Sequence, residues 1–97
     1  MNIDINNLHF LKSIFPPNYY IASTTTLSEN QKIILQKIIS EINNNSHNVE
    51  LNTQQIEAIN TCIDDFIKIA ESEIQTVSGY SESELINKKI NASSSTH

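Results

Sequence analysis

Apolar residues recur at helical spacing in four blocks, the longest within "LNTQQIEAINTCIDDFIKIAESEI", residues 51–74. At about 100° per residue, Ile56, Ile59, Ile63, Phe66, Ile67, Ala70, Ile74 and Val77 line an arc of about 100°, which predicts a helix over residues 53–77. The spacing 56, 59, 63, 66, 70 alternates three and four, as in a coiled-coil seam. Asn52 and Gln55 form a capping-box pattern, and Leu51 stands where it can staple back onto Ile56.

A second block starts with the same grammar. Ser28 with Gln31 is a capping box and Leu27 precedes it as an apolar anchor, predicting a helix over 28–43. Leu27, Ile34, Leu35, Ile38, Ile39 and Ile42 fall within about 140°. Ile33 lies off that arc and is expected to face the N-terminal segment. The polar run "NNNSHN" (43–48) ends the pattern. The two blocks align at an offset of 24 residues, which similar caps and apolar periods explain more simply than duplication.

The terminal blocks are shorter. In "DINNLHFLKSIF" (4–15), Leu8, Leu11 and Phe15 share a face, with Phe10 and Ile14 on its flank. Asp4, Asn6 or Asn7 is placed to cap the start, and Pro16 disfavours helix at Phe15. Tyr19, Tyr20 and Ile21 favour strand but have no evident pairing partner, so an extended connector is expected, its aromatics closing one end of the core. Gly79 suits a left-handed turn after a helix end. Ser81 and Glu84 form another capping box ahead of Leu85, Ile86 and Ile90. Lys88 and Lys89 fall near that helix's C-terminal end, where positive charge is favourable.

The expected fold is all-α: a small helical bundle built on an antiparallel hairpin of two long helices, about 28–43 and 53–77, with short N- and C-terminal helices. Residues 1–91 are expected as one helical domain and 92–97 as a disordered tail. At 1.5 Å per residue the longer helix would run about 37 Å and its partner about 24 Å. The face around Ala70, Ile74 and Val77 therefore needs a cover from the short terminal helices or from an interface.

Composition narrows the function more than it identifies one. The 97 residues include one Gly and two Pro, too few punctuators for a turn-rich β sandwich. Abundant Ile and Asn are what AT-rich coding produces. The net charge is −5, Arg is absent, and the only adjacent basic pair is Lys88-Lys89. Nucleic-acid affinity draws on clustered cations, so no nucleic-acid partner is expected. An acidic surface repels anionic headgroups and no apolar run approaches spanning length, so no membrane partner is expected either. With one cysteine and no secretory signal pattern, a cytoplasmic location is expected. Export by a route without a cleaved signal peptide would leave the same signature.

Candidate chemistry is thin. Glu57, Asp64 and Glu71 are seven apart and stripe the long helix beside its apolar face. They read either as a docking surface for a basic partner or as a solvated face with local pairs such as Asp64 to Lys68. The neighbours Asp64 and Asp65 point about 100° apart on a helix, unlike paired catalytic carboxylates. His9, His47 and His97 lie on different elements without ligand spacing, so no metal is expected. Cys62, at the edge of the apolar arc, reads as a small buried hydrophobe. No cofactor motif is present, and one glycine rules out a Gly-rich phosphate loop. Of the aromatics, Phe10, Phe15, Tyr19 and Tyr20 read mainly as core, with Tyr19 or Tyr20 the better interface candidates.

These readings point to a small non-enzymatic protein–protein interaction module of bacterial type, with an accessory, regulatory, inhibitor or chaperone-like role. It would dock a helix face on another protein. The partner-binding candidates are Tyr19, Tyr20, Glu57, Asp64, Glu71 and Ile74. Two alternatives remain: a secreted substrate or effector of a specialised export system, and a self-assembling structural protein, such as a homodimer through the Ile56–Val77 seam.

Overall fold

The computed structural model describes residues 2–45, 49–73, 77 and 79–90. Among them the chain forms a short strand β1 (Asn2–Ile3), helix α1 (Ile5–Ile14), helix α2 (Glu29–Asn43), strand β2 (Val49–Glu50), helix α3 (Thr53–Glu73) and helix α4 (Glu82–Lys88). The protein is mostly helical, as the apolar spacing predicts.

Local chemistry sets the helix ends. Asp4 accepts the Asn7 N–H and starts α1, and Phe15 ends it one residue before Pro16. Ser28–Gln31 and Ser81–Glu84 close reciprocal capping boxes on α2 and α4. Asn52 and Gln55 make the same exchange on α3, both bonds at 2.8 Å. Each box satisfies two backbone donors that the first turn would otherwise leave open.

Three features depart from the sequence expectation. The first is the small sheet, in which β1 pairs antiparallel with β2, Ile3 opposite Val49 and Asn2 opposite Glu50. Ile3 and Val49 are buried while Asn2 and Glu50 face out, so the pair ties the N-terminus to the connection between α2 and α3. The second concerns Val77, expected in the long helix. It exchanges backbone hydrogen bonds with Tyr80 across a turn containing Gly79 at φ +86, a geometry incompatible with continued helix. The third is Ile33, expected against the N-terminal segment but 58% exposed. The core side of α2 is formed instead by Leu35, Ile38, Ile39 and Ile42.

The buried cluster draws on every element: Ile3, Leu8, Phe15, Leu35, Val49, Ile59, Ile63 and Leu85 among others. Phe15 is fully buried and meets Tyr19 edge-on at 5.3 Å and Phe66 at 6.0 Å. Of the aromatic residues after α1, Tyr19 thus helps to close an end of the core, as expected, whereas Tyr20 stands exposed. Helix α3 packs on both α2 and α4, and α1 packs on α2. Phe10 meets the Tyr80 ring edge-on at 5.0 Å, which joins α1 to the segment leading into α4.

Asparagines join elements that lie far apart in sequence. Asn43 Nδ2 donates to the Phe15 and Ile39 carbonyls, both at 2.8 Å. Lys12 donates to the Asn45 carbonyl at the far end of α2. The expected disordered tail at 92–97 lies outside the described residues. No described helix is long and apolar enough to cross a membrane.

Candidate functional site

Helix α3 carries its chemistry on two flanks of the seam formed by Ile56, Ile59, Ile63, Phe66 and Ala70. At about 100° per residue, Glu57, Asn60, Asp64, Ile67 and Glu71 share an arc of about 80° on one flank. Cys62, Asp65 and Ile69 lie on the other. The seam itself is buried within the chain.

The first flank holds α4. Asn60 grips the backbone of Ile90, its Nδ2 donating to the carbonyl at 2.6 Å and its Oδ1 accepting the N–H at 2.9 Å. One turn on, Lys89 Nζ reaches Asp64 Oδ1 at 2.7 Å. The expected local pairing of Asp64 with Lys68 is replaced by this tertiary pair, because α4 delivers an ammonium to the carboxylate. Side chains of that pair are 34% and 48% exposed, so solvent screens it. Leu85 and Ile90 supply the buried apolar contacts of the segment. Glu57 and Glu71, on either side of the grip, are exposed.

The second flank faces the connector. Asp65 Oδ2 accepts from Thr25 Oγ1 at 2.5 Å and from the Thr26 N–H at 3.0 Å, and its Oδ1 accepts from Thr26 Oγ1 at 2.7 Å. Partial burial pushes the Asp65 carboxyl up, but the Thr25 and Thr26 hydrogen bonds, aided by Lys68, outweigh it and hold the group below its ordinary value. Between connector and helix lies a groove of about 340 Å³ with Tyr19, Thr25, Cys62, Asp65, Phe66 and Ile69 in its walls.

Cys62 and Tyr19 meet at 3.6 Å, Sγ to hydroxyl. Burial pushes the thiol up to about 11, with Asp65 adding to the rise and the Tyr19 hydrogen bond opposing it. Burial likewise raises Tyr19 well above its ordinary value, helped by Cys62 and Asp65. At neutral pH both groups are protonated and weakly nucleophilic. Cys62 is thus the small buried residue the sequence predicts.

The structure sorts the sequence candidates. Glu57, Asp64 and Glu71 stand on one flank as predicted, with Asp64 engaged by Lys89. Tyr19 is half-buried and bonded to Cys62, whereas Tyr20 is 83% exposed. Ile74 lies outside the described residues. His9 is exposed on α1, and His47 and His97 also lie outside the described residues. Among the described residues no group of three His, Cys, Asp or Glu side chains is placed to hold a metal.

Asn60, Asp65, Lys89 and Ile90 are the residues that sequence reasoning missed. The one signal for them is Lys88-Lys89, the single basic pair in an acidic chain.

No protein-family model matches the chain, and neither does a curated protein or a solved structure.

Proposed function

We propose that this chain is a non-enzymatic protein–protein interaction module whose docking surface is the acidic flank of α3, and whose partner is a protein presenting a basic helix. One observation carries the reading. The flank already holds a helix-bearing segment by two means, a carboxylate for its lysine and an amide for its backbone. Glu57 and Glu71 extend the same flank on both sides with open carboxylates.

The titratable groups support binding over catalysis. Cys62 is a buried thiol with a high pKa, and Asp64 and Asp65 answer to different partners on different flanks. The seam residues from Ile56 to Ala70 are buried in one copy of the chain, which disfavours self-assembly through them.

The same reading takes residues 1–91 as one helical domain with α2 and α3 as its antiparallel hairpin. Thr26, just ahead of α2, bonds Asp65 in the second half of α3. The end of α2 leads through β2 into the start of α3. Both observations fit opposed directions.

The test is site-specific photo-crosslinking in cells, with the probe at Glu57, at Glu71, or at exposed Lys37 on α2 as control. Discrete protein adducts from positions 57 and 71 but not 37, diminishing as ionic strength rises, are expected. Equal adducts from all three positions, or none from the acidic flank, overturn the proposal.

A further inference from the structure

We infer that the groove between the connector and α3 is a binding site for a free apolar α-amino acid. Its ammonium would rest on Asp65, its carboxylate on Lys68 and its side chain against Phe66 and Ile69. The site lies on the other flank of α3 from the docking surface and does not depend on that reading.

Size and lining set the scale of the ligand. The groove holds about 340 Å³, at the small end of the ~300–1,000 Å³ typical of ligand pockets, which suits a single amino acid and not a peptide. Its apolar walls are Tyr19 and Ala22 from the connector with Cys62, Phe66 and Ile69 from α3. Cys62 and Phe66 are buried, whereas Ile69 is 44% exposed. An apolar ligand there would cover a side chain that the fold leaves in water, which is favourable in proportion to the area removed.

Two opposite charges share these walls. Asp65 and Lys68 both line the groove, and residues three apart on a helix have Cβ atoms about 5–6 Å apart. The Asp65 carboxyl is held below its ordinary value and is therefore anionic at neutral pH. A carboxylate offers about four acceptor positions. The connector takes two on Oδ2 and one on Oδ1, which leaves one on Oδ1 for a ligand ammonium. Lys68 is exposed and, among the described residues, makes no ion pair. The Thr24 hydroxyl, also in the wall, adds a neutral donor for a carboxylate.

These charges select the ligand. A lone cation beside Asp65 is repelled by Lys68, and a lone anion beside Lys68 is repelled by Asp65. A molecule that carries both charges close together meets each with its opposite. A free α-amino acid bears them on either side of one carbon, whereas a peptide holds its termini apart.

NMR titration of the full 15N-labelled chain with L-leucine and L-phenylalanine tests this. Saturable shifts confined to residues 19–26 and 62–69 are expected, with Kd at or below about 1 mM. Leucinamide, which lacks the carboxylate, and isoamylamine, which lacks the carboxyl group altogether, should bind about tenfold more weakly. Lys68→Gln should weaken L-leucine about tenfold and leave leucinamide unchanged, and Asp65→Asn should weaken both. The exposed Lys68 change guards against loss of fold in the Asp65 variant. Leucinamide binding as tightly as leucine would assign the groove to a protein N-terminus, and isoamylamine doing so would make it a simple cation site. Either result overturns the proposal, as does the absence of saturable shifts or leucine binding indifferent to Lys68→Gln.

Discussion

Replacing Asp65 with alanine removes the acceptor for three hydrogen bonds that fasten the connector to α3. Hydrogen bonds to a charged group contribute roughly 1.5–3 kcal/mol each when well shielded. These sit at a partly exposed site, where water replaces much of what is lost, so a total near 2 kcal/mol is expected for Asp65→Ala. In a chain of this length that lowers the melting temperature by roughly 8–16 °C. Asp65→Asn separates geometry from charge. An amide with its oxygen toward Thr25 and the Thr26 N–H, and its NH2 toward the Thr26 hydroxyl, satisfies all three positions, because a hydroxyl accepts as readily as it donates. The Asn variant should lose less than about 1 kcal/mol, the charge-assisted share alone.

Acid titration gives the same account a second test. The folded Asp65 carboxyl is held below its ordinary value of 3.8. As pH falls, the unfolded chain takes up this proton first, and stability drops wherever the unfolded state binds more protons. The Asp65 contribution is therefore complete above the ordinary value and is lost as pH falls through the folded one. Thermal melts followed by far-UV circular dichroism, for wild type and both variants at neutral pH and through the acid range, measure it. The wild-type advantage over Asp65→Ala should shrink in acid. An Asn variant as unstable as the Ala variant, or a wild-type advantage independent of pH, would refute the assignment.

Two further outcomes follow from the core. Phe15→Ala empties a fully buried site facing Tyr19 and Phe66 and should cost about 3–5 kcal/mol; a urea midpoint within error of wild type would contradict the packing. Cys62, with its pKa at about 11 against an ordinary 9.0, carries roughly a hundredfold less thiolate than a free cysteine at neutral pH. Alkylation of the native protein should be slower than that of the urea-unfolded chain by at least that factor, and comparable rates would show the thiol to be open.

What the sequence discloses here depends on the range over which each contact acts. The capping boxes at Ser28, Asn52 and Ser81 are legible because donor and acceptor stand three residues apart in a fixed local geometry. The stop before Pro16 and the turn at Gly79 are legible because each is a property of one residue's backbone. The β1–β2 pair is illegible because two residues per strand are too few to display an alternation. Ile33 misleads because an apolar side chain off the core arc is read as a second buried face, and a protein surface accepts single exposed isoleucines without consequence.

The candidate site divides the same way. The acidic flank follows from helical periodicity, but what engages it does not. Asp64 meets Lys89 and Asn60 meets Ile90 across 25 and 30 residues of sequence, and only the tertiary path of α4 makes them neighbours. Asparagine content shows the limit well. As composition it signals no more than coding bias, yet Asn43 and Asn60 each satisfy backbone groups that a carboxylate of the same size could not. An amide carries a donor and an acceptor together, so it can close both ends of an interrupted backbone, as Asn60 does at Ile90. The functional reading turns on that residue. A contact satisfying both backbone groups of Ile90 is poorly explained as a casual surface encounter, and it brings Lys89 onto the Asp64 carboxylate of the flank proposed for docking.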